Sequence, residues 1–435
     1  MSRVVEVRLW GRTIGALALT GSEKCASFQY DPTFSESGIE VAPFTMPLSR
    51  RVYRFPNIAE QCFHGLPGLV ADSLPDRFGN ALIAARPATR GLRPQPLNAL
   101  ETLSYTGSRG MGALEFFPAD GPRSRKAETI SVERLVVTAT QALTLRYNLQ
   151  GAFSSPEKSA ALNELLLVGS ATGGRLAKAL ITWNPASGEI RSGQGRPDKG
   201  FEHWLLKFDG IFGVKDKEME NPRDHGAIEY AYAGMAEAAG IRMSPCRLLE
   251  ENGRRHFMTR RFDRLANGEK LHMQSLSAMT HVNSVRPGAY SYEQTLQTAR
   301  KLGLPMRDLE ELFRRMVFNI VARNQNDHVK NIAFLMDKKG RWSLAPAYNL
   351  TFSYQPTGRW TSSHQMTLNN KRDNFRLEDF TACAKTASLK RGKAGALIQE
   401  VQETVSRWPD YADAVGVLPA FRDRVLRSLR LQPFS

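Results

Sequence analysis

Apolar and polar residues alternate from the start of the chain. VVEVRLW and TIGALAL, on either side of Gly11, have the period of two expected of a half-buried hairpin over residues 3–20. SFQYDPTF continues as a further strand, and LPGLVADSLPDRFGNALIAA reads as loop and helix. Over residues 84–125 Pro, Gly, Ser and Arg interrupt the periodicity, which predicts turns and a boundary near 120–150. Beyond it LNELLLVGSATGGRLAKALITWNP passes from apolar residues through a Gly-containing loop into a strand. HWLLKFDG is a strand carrying Lys207, HGAIEYAYAGMAEAAGI a helix, and CRLLEENGRRHFMTRRFDRL two strands about Asn252 and Gly253. Strand, lysine-bearing strand, helix, strands is the order of parts in the small lobe of a protein kinase.

The second half is more helical. Leu309, Leu312, Phe313, Met316, Val317, Ile320 and Val321 recur at helical spacing and predict an amphipathic helix over 306–322, with Pro305 near its start. IAFLM and RWSL pair across DKKG as a hairpin, LAPAYNLTFSY follows directly, and FRDRVLRSLRL predicts a terminal helix with Arg on its exposed face.

Composition narrows the function classes. The 435 residues call for two or three packed units, and 42% apolar content is ordinary for a globular chain. Lys plus Arg exceed Asp plus Glu by 59 to 43, a net charge of +16, which favours a polyanionic partner over a merely solvated basic surface. Cys25, Cys62, Cys246 and Cys383 have no CxxC spacing, which argues against a zinc site or a disulfide framework and for a reduced, cytoplasmic protein. The charged N-terminal stretch is a poor signal peptide, and no apolar run reaches bilayer length, so no membrane association is expected. Neither a helix-turn-helix nor a zinc-finger pattern supports direct DNA reading by this chain.

The candidate chemistry centres on RNQNDHVKN, residues 323–331. Phosphoryl transfer needs the phosphates held, their charge neutralised and the attacking hydroxyl oriented. In the kinase catalytic loop an Asp accepts the hydroxyl proton, and an Asn five positions later holds metal. Counting back five from Asn331 reaches Asn326, an amide, with Asp327 one position out of register; the second metal-binding acid of a kinase falls at Asn349 in AYNL. Taken singly, each feature has a plainer explanation. A Gly-rich turn is most often an ordinary loop, a strand lysine a solvated edge residue, Phe262 core, a lone His328 structural, and Asn326 and Asn349 turn residues. What favours the chemical reading is that all of them fall in kinase order together.

These motifs resemble the HipA family of bacterial toxin serine/threonine kinases over nearly the whole chain. GALAL and GLPGLVADSLPDRFGNALI resemble its N-terminal subdomain, RRFDRL its E-R-F-D-R segment, and HMQSL its glutamine-bearing segment. NDHVKN and LAPAYNL resemble its metal-binding motifs, which normally read D-D-H-x-K-N and Y-D. The resemblance implies an α+β, two-lobed protein-kinase-like fold. Its parts would be a β-rich N-terminal subdomain (1–125), a small lobe with the Gly-containing loop and Lys207 (126–270), and a mainly helical catalytic lobe (271–435).

It implies ATP and Mg²⁺ as cofactors and a nucleotide site made of Thr172, Gly173, Gly174, Lys178, Lys207, Arg260, Arg261, Phe262, Asp263, Gln274, His328, Lys330, Asn331, Tyr348 and Asn349. Within it Lys207, paired with Glu229, would contact the α- and β-phosphates. Arg260, Arg261 and Phe262 would form the hinge beside adenine, with Arg260 replacing the usual Glu and Gln274 nearby. His328 and Asp263 would reach the ribose or phosphates, and Asn331 and Asn349 the metal. Ser170, with Thr172 as the other choice, would be the autophosphorylated loop residue. The implied partners are a helix-turn-helix HipB-like antitoxin, operator DNA reached through that complex, and a protein substrate such as an aminoacyl-tRNA synthetase, in a bacterial cytoplasm.

Two amides at the chemical positions change the expected mechanism. Asn326 cannot take a proton near neutral pH, and general-base participation is worth about 10² to 10⁴ in rate. Asn349 offers a hard cation a neutral oxygen where a carboxylate is preferred. The expectation is therefore a kinase fold that binds nucleotide and transfers phosphate very slowly or not at all. Such a chain is either an inactivated counterpart of a toxic kinase or a natural pseudokinase acting by binding, for instance as a corepressor.

Overall fold

The computed structural model describes residues 3–20, 23–84, 96–122, 129–144, 156–169, 177–211, 224–432 and 434. Its first sheet has the antiparallel order β4-β3-β2-β1-β5, from β1 (Arg3–Leu9), β2 (Arg12–Leu19), β3 (Ser27–Tyr30), β4 (Val52–Arg54) and β5 (Leu114–Phe117). Trp10 and Gly11, at φ 51° and 82°, make the tight turn between β1 and β2, a left-handed pair whose twist matches that of the flanking strands. The strand predicted over SFQYDPTF stops at Tyr30. Asp31 accepts from the N–H groups of Thr33 and Phe34 and caps a helical turn, Pro32–Ser35, in which proline stands at the helix start.

The segment expected to be turns also holds regular structure. Asn98 and Glu101 form a reciprocal capping box that starts the helix Ala99–Thr106, and β5 then pairs with β1. Both elements bury their apolar residues in one core with Val5, Val7, Phe28, Phe34 and Phe63.

The second sheet runs β7-β6-β8-β10-β9, with β6 (Lys178–Trp183), β7 (Ile190–Ser192), β8 (Glu202–Lys207), β9 (Cys246–Glu251) and β10 (Arg254–Arg260). Lys207 ends the central strand, opposite Lys178 on one side and Phe257 on the other. Against this sheet lies the alanine-rich helix His225–Ala238. Gly226 lets it come close, because a Cβ there would stand 1.9 Å from the Arg255 carbonyl oxygen.

The third sheet, β11 (His272–Ser275), β12 (Ala333–Met336) and β13 (Trp342–Leu344), floors the helical lobe. Helix Met306–Val321 buries the predicted apolar stripe, with Pro305 at its N-cap, and packs against the helices Tyr292–Lys301 and Lys393–Ser406. Among the described residues no helix is long and apolar enough to cross a membrane.

The N-terminal sheet is docked on the rest by buried polar contacts. Gly112 at φ 74° donates its N–H to Asp263 Oδ2 (2.7 Å), and its missing Cβ leaves room for the Met273 backbone. Trp10 Nε1 donates to the Lys270 carbonyl (2.7 Å), and Asp72 accepts from the N–H and hydroxyl of Ser275 at 2.6 and 2.9 Å.

Candidate functional site: a cleft lined by lysines and amides

The small-lobe side of the cleft is set by β8 and the helix beside it. Lys207 Nζ meets Glu229 Oε1 at 2.5 Å, both side chains nearly buried, with the Phe257 ring 5.5 Å from the ammonium. A buried carboxylate is tolerable only when paired, and the second turn of helix His225–Ala238 brings Glu229 to this lysine.

The other side is the catalytic-loop motif. Helix Met306–Val321 ends at Ala322, and Asn324 is held by Asn319 through its N–H and its amide group, both at 2.9 Å. A 3₁₀ turn, Val329–Asn331, then folds Asn331 back so that its Nδ2 donates to the Asn326 carbonyl (2.8 Å). Asn349 sits at φ 55°, a left-handed conformation that Asn and Asp adopt more easily than other side chains. Its Nδ2 donates to Asn331 Oδ1 (3.0 Å), while its Oδ1 accepts from Lys207 Nζ (2.6 Å). Asn326, Asn331, Asn349, Lys207 and Glu229 thus form one hydrogen-bonded path across the cleft.

This path decides how well the amides suit a divalent cation. The two side-chain oxygens that would ligate it are neutral, and both are occupied, Asn331 Oδ1 by the Asn349 amide and Asn349 Oδ1 by Lys207. Among the described residues no cluster of three or more His, Cys, Asp or Glu could hold a metal. Mg²⁺, a hard cation that prefers carboxylates, does not fit this donor set.

Two more lysines act on carboxylates of the N-terminal subdomain. Lys178 pairs with Asp76 at 3.2 Å, both side chains almost fully buried; burial lowers the lysine pKa and raises that of the aspartate, each opposed by the partner's charge. Burial also raises the Asp72 carboxyl, against the opposing charge of Lys330. Neither acid was singled out from sequence. Both stand in GLPGLVADSLPDRFGNALI, the stretch that resembles the HipA N-terminal subdomain, and that resemblance was the signal that could have found them.

Phe262 and Tyr348 pack at 5.7 Å between ring centres, beside Leu271 and Met273 and over Ala333, Leu335 and Ala345, and the Tyr348 hydroxyl donates to the Lys330 carbonyl. They form an apolar strip suited to a flat base. His328 is half-buried and lines one cavity with Asp327, Asn331 and Tyr348. Ser170, Thr172, Gly173 and Gly174 lie outside the described residues.

Several expected contacts are corrected. Asp263 does not reach a ribose or phosphate: it is wholly buried, held by Arg261 (2.7 and 2.9 Å), Arg264 (2.8 Å) and the Gly112 N–H. Burial alone would raise its pKa, but the two guanidinium groups outweigh it and hold the carboxyl well below the usual range. The Arg261 side chain is taken up in the same cluster. Arg260 makes an exposed pair with Glu202 (3.2 Å). Gln274 lies on the wrong side of β11. Strand alternation puts Met273 on the face with Phe262 and Tyr348, and Gln274 on the opposite face with His272, where its amide is buried.

Asp327 is a structural hub. Its Oδ2 accepts from the Tyr292 hydroxyl (2.5 Å) and meets His364 Nδ1 (2.8 Å), and its Oδ1 accepts from the Gln365 N–H (2.7 Å). Burial would raise this carboxyl, yet His364 and the other partners bring it below its ordinary value.

Known proteins share both halves of this architecture. Residues 5–117 match the HipA N-terminal domain and residues 170–408 the HipA-like C-terminal domain. The HipA structure solved with HipB and operator DNA from Shewanella oneidensis MR-1 superposes with a TM-score of 0.66 at 15% identity, covering 97% of this chain and 96% of that one. A putative kinase, Y4mE of Sinorhizobium fredii, is 26% identical over 125 residues, which are 27% of this chain and 30% of the relative. The α+β kinase-like fold is therefore that of HipA, and the chain belongs to the HipA family.

Proposed function

We propose that this chain is the kinase-like component of a toxin–antitoxin module and binds ATP in the cleft between Lys207 and the amides. The observation that carries this reading is the continuous path from Glu229 through Lys207, Asn349 and Asn331 to Asn326. It brings a cation and three amides together, the kinds of group that phosphoryl transfer uses to hold phosphates and orient a hydroxyl. Lys207 would contact the phosphates as a point charge, and the Phe262–Tyr348 strip would take the base. Lys178 would reach the phosphates by exchanging its pairing with Asp76, and Lys330, whose charge acts on Asp72, would turn toward them as well. Ser170 or Thr172 would be the site of self-phosphorylation in an active relative of this chain.

The substrate class is the serine or threonine hydroxyl of a translation protein such as an aminoacyl-tRNA synthetase. The partner is a HipB-like helix-turn-helix protein through which the basic chain meets operator DNA. Phosphate transfer is impaired, because the side chain of Asn326 cannot accept a proton. A second reading is favoured by the amide hydrogen bond between Asn349 and Asn331, which fills the place of a cation: a non-catalytic component that binds nucleotide and partner only. Calorimetric titration with ATP tests the shared claim, and no heat of binding at millimolar ATP refutes it. Growth arrest on expressing Asn326→Asp with Asn349→Asp separates the two readings.

A further inference from the structure

We infer that Trp360 covers the acceptor position of this cleft, its indole N–H standing where the hydroxyl of an incoming serine or threonine would bond residue 326. The inference rests on the nucleotide-site reading above and adds a residue that no motif pointed to.

Trp360 Nε1 donates to Asn326 Oδ1 at 2.8 Å, the one side-chain oxygen at the catalytic-loop position able to orient a hydroxyl. The segment carrying it is pinned to the same loop at both ends. Upstream, the Ser353 N–H donates to the Arg323 carbonyl (3.1 Å) and Ser353 pairs with Asn324. Downstream, His364 and Gln365 are bound to Asp327, and Gln365 Nε2 reaches the carbonyls of Gln325 (3.1 Å), Ser363 (3.0 Å) and Trp360 itself (2.5 Å). The backbone at Trp360 is therefore fixed while its ring stays partly exposed, unlike the core residues Trp204 and Trp408, which are 1% and 0% exposed. A side chain held at its base, open at its ring and bonded to the catalytic-loop amide is placed as a cover.

In transfer by the Asn326→Asp variant, the acceptor oxygen bonds to the γ-phosphorus, the bond from that phosphorus to the β–γ bridging oxygen breaks, ADP leaves, and the hydroxyl proton goes to the introduced carboxylate. An indole already donating to that group competes with the acceptor, so the acceptor has to displace Trp360. Residues 353–365 become the platform on which a hydroxyl-bearing protein segment lies.

The test uses the full chain labelled with ¹⁵N-tryptophan. The Trp360 indole signal is identified by its loss in Trp360→Phe, and Asn326→Ala is expected to move it more than any of the other indole signals. Hydrolysis of ATP, with water as acceptor, is then followed with MgCl2 in the Asn326→Asp, Asn349→Asp background. Trp360→Phe is expected to raise it about three- to tenfold, the effect of removing one competing hydrogen bond, with the affinity for ATP unchanged within about twofold. A residue that only supports the fold would lower the rate. Bound ATP with an unmoved indole, or with hydrolysis unchanged or slower, overturns this proposal alone. Failure of every variant to bind ATP overturns the nucleotide reading as well.

Discussion

Lys207 Nζ donates to Asn349 Oδ1 at 2.6 Å while the amide nitrogen of Asn349 donates to Asn331 Oδ1 at 3.0 Å. One amide thus bridges a cation and an oxygen. A carboxylate at 349 has no N–H to give, so two oxygens would face each other and a cation between them would become favourable. Asn349→Asp is therefore expected to make ATP binding respond to Mg²⁺, tightening it by about tenfold, the scale of one added charge-assisted contact. The chain as it stands is expected to bind ATP equally with MgCl2 or EDTA. Calorimetry in the two buffers decides, and a strong Mg²⁺ response in the unmodified chain would refute this account of the site.

Restoring the proton acceptor is a separate step. With residue 349 already acidic, Asn326→Asp is expected to raise ATP turnover by about 10² to 10⁴, the usual worth of a positioned general base. Release of ³²P-phosphate from ATP measures it. A gain below about tenfold would mean that residue 326 does not stand at the proton.

How far the site could be read from sequence follows from how each contact is encoded. Lys207 and Glu229 were legible because a strand and a helix of clear period carry them in kinase order, and Asn326, Asn331 and Asn349 because their spacing is local. Gln274 was misplaced by reading a motif without its parity: one residue earlier on β11 belongs to the cleft face, and Gln274 does not. Asp263 was expected to reach the ribose or phosphates because a motif names residue types and not the direction of side chains; its partners include Gly112, 151 positions away. Asp76 meets Lys178 and Trp360 meets Asn326 only after the lobes and loops have folded. The helix Ala99–Thr106 was hidden among turn residues, although Asn98 and Glu101 stand at capping-box spacing.

The Asp263 cluster predicts a stability effect with no chemical role. Arg261 and Arg264 are 1% and 6% exposed in their side chains, so removing the carboxylate leaves two buried cations facing each other. Asp263→Ala is expected to cost about 3–5 kcal/mol and to loosen the docking of the N-terminal sheet. Arg260→Ala, which breaks only the exposed pair with Glu202, should change stability by less than about 1 kcal/mol. Urea unfolding of the two variants compares them. Equal midpoints would show that the cluster does not hold the subdomain.

Acid sensitivity should begin well above the carboxylate range. His272 is fully buried, with the Trp342 ring 5.7 Å away, and burial lowers its pKa from 6.5 to about 4, slightly opposed by the Val41 backbone. The folded value lies below the unfolded one, so between pH 6.5 and about 4 the unfolded chain binds the extra proton. The stabilisation from keeping this ring neutral is complete above pH 6.5, falls as the pH drops through that window, and changes no further below about 4. For His272 the full loss is about 3 kcal/mol. Burial lowers His203 and His281 to about 4 as well, so they slope in the same direction. His272→Phe keeps an aromatic ring beside Trp342 and removes the titrating group. Thermal unfolding from pH 7 to pH 4.5 is expected to show a shallower fall in Tm for His272→Phe than for the parent chain; parallel curves would place the acid sensitivity elsewhere.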